Sequence, residues 1–418
     1  MTGMWNTSWI KGREWTQPLL WSGLGIVVLL CYFGVNQNTV YLCDECYHGP
    51  RIGYFLEGDF SRKGDLAMLW GYHTIIAIIM ALIGGESVEA ARTISLMGAT
   101  LVPVLVYFLS LKRGEGAEAQ MKAAIVICLP MVFTLMFYLY TDVWSMGAHL
   151  AMMLLLFSGK HKWAAVVAVL AILIRQTNMI WVLYAAVLVG LIFWKDMLQK
   201  YDLWKRRNEV IGKIWPYALV LMGFVFFVLW NGGVAHGDRE NQSSVLNPTN
   251  LPYLLVSIGV LFWPIVIDEI ARRRPTRDEI IKWCAIWLCF MGISWVFRHS
   301  EHPYNGAGVY FYIHNHLLYF WADHPGGRCM AAFALGVTTI FLCRGRYTMN
   351  PYGWLYVISI LSVVCMPVVD SRYQMSTLAM LIILRQMRCS VLAYANIVWL
   401  LGLSLIIMSY MLNYTAIL

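Results

Sequence analysis

Charged residues are scarce in this sequence: Asp, Glu, Lys and Arg together make up 13% of its 418 residues. A water-soluble domain carries about 25% charged residues, so the chain has roughly half the charge that an ordinary aqueous surface needs. Apolar residues make up 60%, and the mean hydropathy is +0.62. This composition excludes a cytosolic enzyme, a secreted disulfide-rich domain and a disordered chain. It predicts a protein that is solvated mostly by lipid.

Internal repeats, low-complexity tracts and nucleic-acid-binding motifs are also missing from the sequence. We therefore predict one integral membrane domain over residues 1–418 and no nucleic-acid partner. The formal net charge of +8 comes from short basic clusters between apolar runs, and such clusters set the orientation of a membrane protein. The ten cysteines lie mostly within apolar runs, where cysteine is a small core residue.

Long apolar runs are abundant, and a run of about 20 residues crosses a bilayer as a helix. The runs predict an all-α polytopic membrane protein with about 13 transmembrane helices. They lie near 18–35, 92–111, 123–140, 145–158, 163–175, 179–194, 214–230, 251–267, 280–297, 329–342, 353–369, 374–385 and 391–412. A further apolar stretch, 66–83, is ambiguous.

The basic clusters decide how to interpret residues 66–83, because such clusters favour the cytoplasmic side. They are Lys11/Arg13, Lys112/Arg113/Lys122, Lys160/Lys162, Lys195 to Lys213, Arg272/Arg273/Arg274/Arg277, Arg344/Arg346 and Arg385/Arg388. All seven fall on one side only if 66–83 does not cross. We therefore predict an interfacial or re-entrant helix there, inside one long outer loop, 36–91. The basic stretch 195–213 is predicted to be a cytoplasmic loop against anionic headgroups.

Single acidic and basic residues collect at the outer ends of many predicted spans, where insertion does not explain them. They include Asp44, Glu45, His48, Asp142, Arg175, Asp238, Arg239, Arg298, His302, Asp370 and Arg372. Any one of them is equally well explained by an ion pair that holds a loop in place. Together they predict a pocket for an anionic, hydroxyl-rich substrate, because ionisable groups at membrane depth usually face a cavity or a partner. Arginine also suits phosphate, since its guanidinium donates two hydrogen bonds at once.

The first outer loop contains paired acids in the segment Cys43-Asp44-Glu45-Cys46-Tyr47-His48. A carboxylate next to an apolar interfacial helix can act as a general base. The Cys43/Cys46 pair offers a redox or metal-binding alternative. No second C-x-x-C and no thioredoxin-like pattern accompanies it, so a disulfide or two inert thiols is the favoured interpretation.

Three further segments carry polar residues at the outer side. Asp142 follows Tyr140-Thr141, and an aspartate there is alternatively the N-cap of the next helix. Arg175-Gln176-Thr177-Asn178 joins two spans, and a tight turn would explain Asn178 without explaining Arg175. Gly237-Asp238-Arg239 lies in a glycine-rich loop whose backbone can approach a ligand closely, or which is an ordinary loop.

These segments resemble, in the same order along the chain, those of the eukaryotic ER α-1,2-glucosyltransferases that add the terminal glucose to the dolichol-linked oligosaccharide. That family belongs to the multi-span GT-C class. The resemblance extends from about residue 40 to 375, and Arg175-Gln176-Thr177-Asn178 with Ile180-Trp181-Val182 is its most specific part. The other matching segments are Asp44-Glu45 with His48 and Pro50, Tyr140-Thr141-Asp142, Asn231-Gly232 with Gly237-Asp238-Arg239, His302-Pro303-Tyr304 and Arg372-Tyr373.

The sequence departs from the family pattern at several positions. Cys43 stands for the usual Met, and Arg51-Ile52-Gly53 replaces Q-A-Q. The segment Asn305-Gly306-Ala307-Gly308 replaces a charged stretch, and Asp370-Ser371 replaces E-F. These changes concern the specificity for donor or acceptor more than the class of reaction.

The resemblance implies a dolichyl phosphate glucose donor, a dolichyl-diphosphate-linked oligosaccharide acceptor and a lumenal site in the ER membrane. It also implies an inverting reaction, with no metal and no cofactor, and apolar spans that hold the polyprenyl tail. Asp44 is then the expected base and Glu45 its competitor. The candidates for the lipid phosphate are Arg175, Arg239, Arg298 and Arg372, and those for acceptor hydroxyls are Asp142 and Asp238. The remaining substrate-binding candidates are His48, Gln176, Asn178, His302, Tyr304 and Tyr373.

Three alternatives stay open at this point. Another GT-C transferase, such as a mannosyltransferase, would share every physical argument above. A secondary transporter would place charges at midspan and contain internal repeats with broken helices, which the sequence does not show. The third alternative is an inactive member of the family, because the charged stretch of the family pattern is missing at 305–308.

Overall fold

The protein is described from a computed structural model of the chain. It covers residues 13–42, 44–60, 66–112, 116–200, 203–237, 246–306, 313–345 and 353–414. Within these ranges the regular secondary structure is helical. The helices are α1 Arg13–Asn36, α2 Glu45–Leu56, α3 Gly71–Ile83, α4 Val88–Ala99, α5 Leu101–Lys112, α6 Gly116–Ile127, α7 Pro130–Leu135, α8 Thr141–Phe157, α9 His161–Ile174, α10 Met179–Lys200, α11 Leu203–Asn231, α12 Asn250–Arg272, α13 Arg277–Val296, α14 Ile313–Asp323, α15 Pro325–Arg344, α16 Trp354–Val364, α17 Met375–Leu384 and α18 Val391–Tyr414.

Seven helical segments of the described chain are long and apolar enough to cross a membrane. They are Gln17–Asn36, Val88–Lys112, Arg207–Asn231, Asn250–Arg272, Arg277–Val296, Pro325–Arg344 and Val391–Asn413. Five more apolar helices are shorter, namely Gly71–Ile83, Thr141–Phe157, His161–Ile174, Gln176–Ile192 and Trp354–Val364. The predicted all-α, multi-pass architecture is therefore confirmed. The count of about 13 spans stays a prediction.

The segment predicted as one outer loop, 36–91, contains α2 and α3 and the start of α4. Helix α3 has 13 residues, which corresponds to a length of about 20 Å against a hydrocarbon core of about 30 Å. This length agrees with a helix that does not cross. Its first residue, Gly71, packs so closely on α9 that a Cβ there would lie 2.7 Å from the carbonyl carbon of Leu173. The loop is thereby fixed to the outer end of α9.

The structure differs from the predicted boundaries in three places. The basic segment 195–213 is not a loop, because α10 continues to Lys200 and α11 begins at Leu203. Its helix-forming residues, and a Glu209–Lys213 pair one turn apart, favour helix over loop. The run 123–140 is broken, since Pro130 starts a new helix at a position that needs no N–H. The run 353–369 is helical only to Val364.

Helix α17 lies at the centre of the bundle, and nine of its ten residues are buried. Its inner end is fixed by an ion pair, in which Nη2 of Arg385 donates to both carboxylate oxygens of Glu269 at 2.6 and 2.8 Å. Its outer end continues directly from a short 3-10 helix, Ser371–Gln374. The central helix therefore holds Arg372 and Tyr373 at the outer face of the molecule.

Candidate active site

A cavity of about 690 Å³ opens at the outer ends of α2, α8, α9 and α10. One part of its lining is polar and comprises Asp44, Tyr47, His48, Asp142, Arg175, Gln176, Thr177, Tyr304, His314, Asp370, Arg372 and Tyr373. The other part is apolar and comprises Leu66, Ala67, Met68, Met179, Ile180, Phe224, Val234, Ala235, Cys365, Met366, Pro367 and Val368. The cavity thus combines a charged part with an apolar wall that includes Phe224, about two turns before the end of α11.

Asp44 precedes the first residue of α2 and lies in the cavity, with 17% of its side chain exposed. Its Oδ2 accepts a hydrogen bond from Nη1 of Arg372 at 2.6 Å. Its backbone N–H donates to the hydroxyl of Tyr140 at 3.1 Å. Contacts to segments about 100 and 330 residues away therefore fix this carboxylate, and it remains accessible.

Arg372 is held by a second carboxylate, that of Asp370. The Asp370 Oδ2 accepts from Nε of Arg372 at 2.7 Å and pairs with Nη2 at 2.6 Å, while Oδ1 accepts from the Arg372 backbone N–H at 2.8 Å. Burial alone would raise the pKa of Asp370, but the charges of Arg372 and His314 and the hydrogen bonds from Arg372 together outweigh it and hold that pKa below its usual value. The guanidinium also faces the ring of Tyr140 at 5.6 Å. Arg372 therefore has three protein partners in the cavity.

Arg175 provides the second guanidinium of the cavity and forms an ion pair with Asp142. Its backbone is extended between α9 and the 3-10 helix Gln176–Asn178. The guanidinium lies 5.4 Å from the ring centre of Tyr373. Asp142 lies in the first turn of α8, whose N-cap is Tyr140, so the alternative that Asp142 caps this helix is wrong.

Glu45 is adjacent to Asp44 in sequence but lies outside the cavity. It is fully buried and paired with Arg92, whose Nε donates to Oε1 at 3.0 Å. The backbone N–H groups of Leu42 and Leu139 also donate to its carboxylate, both at 2.9 Å. A carboxylate whose two oxygens are occupied in the core is not available to an acceptor hydroxyl. This geometry removes Glu45 from the candidates for the base and makes it part of the scaffold.

His48 lies one turn after Asp44 and lines the cavity. Its Nδ1 is 2.9 Å from Nε2 of His73 on α3, and the two rings are stacked with centres 5.1 Å apart. Burial, reinforced by the charges of Arg372 and Arg175, lowers the pKa of His48 to about 3. His48 is therefore neutral at physiological pH and available for hydrogen bonding with a sugar.

The two amides predicted beside Arg175 have different positions. Gln176 lines the cavity and donates through Nε2 to the carbonyls of Ala67 at 2.9 Å and Val234 at 3.3 Å. It thereby joins two outer loops to α10. Asn178 is buried below the cavity, where its Nδ2 donates to Ser145 Oγ at 2.8 Å and to the carbonyl of Ala171 at 2.7 Å. It holds the backbone that carries Arg175 and does not line the cavity.

The remaining predicted site residues are divided. Tyr304 and Tyr373 line the cavity. Arg298 is half-buried, and its guanidinium lies over the ring of Trp295 at 4.5 Å. His302 caps the short helix Pro303–Asn305 by accepting a hydrogen bond from the Tyr304 N–H. Neither contributes to the cavity wall. The predicted sites Asp238 and Arg239, together with Cys43, lie outside the described residues.

Other cavity residues were not among the predicted site residues. The sequence shows Asp370 as an acid at the outer side. Its hydrogen bonds to Arg372 form because Asp370 caps the 3-10 helix that contains Arg372. His314 lies in α14, and no spacing in the sequence places it beside the first loop. Cys46 is a free, exposed thiol. Across the described ranges, no three His, Cys, Asp or Glu side chains are grouped as metal ligands.

This arrangement is suited to a particular kind of chemistry. A carboxylate accessible to substrate is placed beside two guanidinium groups, and the whole lies in a partly buried site where electrostatic interactions are strong. A carboxylate can remove a proton from a hydroxyl group, and guanidinium groups can stabilise a phosphate. The adjacent apolar wall matches a substrate that combines a charged head with a long hydrocarbon chain.

Several curated proteins are similar to this chain. A Drosophila melanogaster protein is 23% identical over 385 residues, which cover 82% of this chain and 83% of that protein. A Yarrowia lipolytica protein is 24% identical over 259 residues, which cover 55% of this chain and 49% of that protein. A human protein is 26% identical over 293 residues, which cover 58% of this chain and 61% of that protein. The matched segment therefore spans about half of the Yarrowia protein. All three are named Dol-P-Glc:Glc(2)Man(9)GlcNAc(2)-PP-Dol alpha-1,2-glucosyltransferase.

A solved structure also resembles the fold. The apo form of ArnT from Cupriavidus metallidurans superimposes with a TM-score of 0.45 at 13% identity, covering 94% of this chain and 77% of ArnT. The model of the DIE2/ALG10 family matches residues 38–384, which contain every described residue of the cavity. The chain therefore belongs to the DIE2/ALG10 family.

Proposed function

We propose that this protein transfers glucose from dolichyl phosphate glucose to the terminal glucose of a dolichyl-diphosphate-linked oligosaccharide, forming an α-1,2 linkage. The observation that carries the proposal is the Asp44–Arg372 contact, 2.6 Å long, inside a cavity with an apolar wall. We take Asp44 as the base for a hydroxyl group and Arg372 as the adjacent cation for a phosphate. The names of the family's curated members support the choice of glucose and of this acceptor.

In the proposed reaction Asp44 accepts the proton of the acceptor's 2-hydroxyl group. The oxygen then forms a bond to the anomeric carbon of the donor, while the bond from that carbon to the phosphate oxygen breaks. Dolichyl phosphate leaves with the bonding electrons. Because attack and departure take place on opposite faces of the sugar, a β-linked donor gives an α-linked product. General-base catalysis contributes about 10²–10⁴-fold to such a step.

The departing phosphate gains negative charge as the bond breaks, and preorganised cations lower that cost. Arg372 and Arg175 are the guanidinium groups of the cavity lining, and both have only 14% of their side chains exposed. They provide this charge from the protein itself, so we propose that transfer needs no metal ion. His48 and Tyr304 line the same cavity, and we propose that they contact the sugar.

The apolar wall accounts for the donor's lipid part. Ile180 and Phe224 belong to helices of the membrane bundle and line the same cavity as the charged groups. A polyprenyl chain lying along them would stay in an apolar environment while its phosphate reaches the arginines. The protein is a multi-pass membrane protein, and we propose that it resides in the endoplasmic reticulum with this cavity on the lumenal side.

The decisive experiment is the profile of lipid-linked oligosaccharides in cells that lack this protein. We expect the species with two glucoses to accumulate. Wild-type protein should restore the species with three glucoses, and Asp44→Asn should not. Asp323→Asn removes an exposed carboxylate at the end of α14 and should restore it fully.

A normal profile in the deleted cells would refute the proposal. Transfer from radiolabelled dolichyl phosphate glucose or dolichyl phosphate mannose, in membranes that contain the protein, identifies the sugar. Transfer of mannose alone would assign the protein to another polyprenyl-phosphate-dependent reaction.

A further inference from the structure

The base proposed above already has a partner in the protein, because Asp44 accepts a hydrogen bond from the guanidinium of Arg372. Inverting displacement puts the base and the leaving group on opposite faces of the transferred sugar. In inverting glycosidases the two catalytic carboxyl groups lie roughly 6.5–9.5 Å apart to leave room for the reacting atoms. A single Nη1 group cannot hydrogen-bond to Asp44 and to a phosphate across such a gap. One of the two partners must therefore leave Arg372.

The two edges of the Arg372 guanidinium are held very differently. Asp370 binds the Nε and Nη2 edge and also accepts from the Arg372 backbone N–H, and its side chain is fully buried. Among the described residues, Asp44 is the partner of Nη1, and its side chain is 17% exposed. If the Asp44 contact were lost, Asp370 would still hold the guanidinium of Arg372 in its orientation and neutralise its charge. Nη1 is therefore the edge at which partners can exchange.

Arg175 lacks this second anchor in the described structure. Its ion pair is with Asp142, and the ring of Tyr373 covers one face. A phosphate that displaced Asp142 from Arg175 would take away the carboxylate that orients it. It would also release a carboxylate that is not the base. The exchange is therefore better supported at Arg372 than at Arg175.

We propose that the donor phosphate displaces Asp44 from Nη1 of Arg372, and that Asp370 is the positioning residue that keeps Arg372 in place during this exchange. The inference rests on the proposed function. The empty site then holds its base in an ion pair, and the base becomes available only after the donor has bound. Donor binding precedes productive acceptor binding, and a hydroxyl group that enters an empty site meets an occupied carboxylate.

The test is the affinity of the purified full-length protein, in lipid nanodiscs, for dolichyl phosphate, measured through its intrinsic tryptophan fluorescence. If Asp44 competes with phosphate for Nη1, Asp44→Asn should bind dolichyl phosphate roughly tenfold more tightly than wild type, since a close charge pair contributes about 1.5 kcal/mol or more. Asp323→Asn removes an exposed carboxylate outside the cavity lining and should change affinity by less than about threefold. Asp142→Asn frees the other guanidinium of the cavity and should strengthen binding by less than Asp44→Asn does. In an Arg372→Gln background, which removes the cation that Asp44 and phosphate share, the effect of Asp44→Asn should fall below about threefold, as a double-mutant cycle would show.

Unchanged or weaker binding by Asp44→Asn overturns the proposal. Stronger binding by Asp142→Asn than by Asp44→Asn also overturns it, because the exchange would then occur at Arg175. Asp370→Glu should keep the affinity of wild type, whereas Asp370→Ala should lose most of the Asp44-dependent difference. If wild type binds dolichyl phosphate with this pattern yet transfers no glucose, the proposed function fails while the exchange stands.

Discussion

Replacing Glu45 with Gln separates the scaffold carboxylate from the adjacent Asp44. The Glu45 oxygens accept two hydrogen bonds from Arg92 and one each from the N–H groups of Leu42 and Leu139. An amide has one accepting oxygen, and its NH₂ group would point at groups that are themselves donors. The substitution also leaves the charge of Arg92, which is fully buried, without its carboxylate.

Removing one partner from a buried ion pair costs about 3–5 kcal/mol, because the other charge stays buried and uncompensated. Arg92 keeps its bonds to the carbonyls of Asn38 at 2.6 Å and Val40 at 2.9 Å, so we expect a value near the lower end, about 3 kcal/mol. The melting temperature should fall by roughly 6 °C or more, at about 2 °C per kcal/mol for a large domain. Transfer activity per folded molecule should remain, since Glu45 does not line the cavity.

The assay is thermal unfolding in detergent, followed by tryptophan fluorescence, with transfer measured on the folded fraction isolated by size-exclusion chromatography. Glu57→Gln, an exposed position at the end of the same helix α2, is the matched control and should shift stability by no more than about 0.5 kcal/mol. Asp44→Asn should show the opposite pattern, with near-normal stability and no transfer. If Glu45→Gln keeps its stability and loses transfer, the assignment of the two acids is reversed.

Three further predictions concern single residues. Asn178→Ala removes donors to Ser145 and Ala171 and should cost about 1–3 kcal/mol in thermal unfolding; a neutral result would remove its role in holding Arg175. Arg298→Ala should keep transfer within about twofold, given that Arg298 lies outside the cavity and that surface substitutions away from special features cost at most about 0.5 kcal/mol; a large loss would place it in the site. The pKa of His48 is about 3 in the folded protein, against an ordinary value near 6.5. Between these values only the unfolded state binds a proton at His48, so the free energy of unfolding decreases as the pH falls from 6.5 towards 3. Wild type should therefore lose about 1 kcal/mol more than His48→Gln between pH 6.5 and 5.5 in denaturant titrations, and equal losses would contradict the neutral state.

The location of the cavity could be predicted from the sequence to a useful degree. The positive-inside pattern places the ends that carry Asp44, Arg175 and Arg372 on one side, and the structure brings these three into one cavity. Helix existence followed from apolar runs, and most boundaries agree within a few residues. The breaks at Pro130 and after Val364 lie within apolar runs, where hydropathy alone carries no signal for a kink.

The pairing of the charges could not be predicted, because it depends on contacts between distant segments. Asp44 and Glu45 are adjacent acids with similar surroundings in sequence, yet a step of one residue turns a side chain by about 100° around a helix. That rotation directs Glu45 into the core, towards Arg92, and leaves Asp44 facing Arg372. Glu45 is the structural acid because it contacts Arg92 of α4. Asp44 is the candidate base because it contacts Arg372 of the 3-10 helix Ser371–Gln374 in the cavity.

The charge balance of the cavity explains why a phosphate site carries so many acids. Its described lining contains three carboxylates, Asp44, Asp142 and Asp370, against two guanidinium groups, Arg175 and Arg372. A guanidinium at membrane depth needs a counterion at all times, because an uncompensated buried charge is very costly. Aspartates fill that role here, and a bound phosphate would exchange one anion for another at little electrostatic cost. Since the aspartate on the less protected edge of Arg372 is the proposed base, the same exchange that binds the donor also makes that base available to the acceptor.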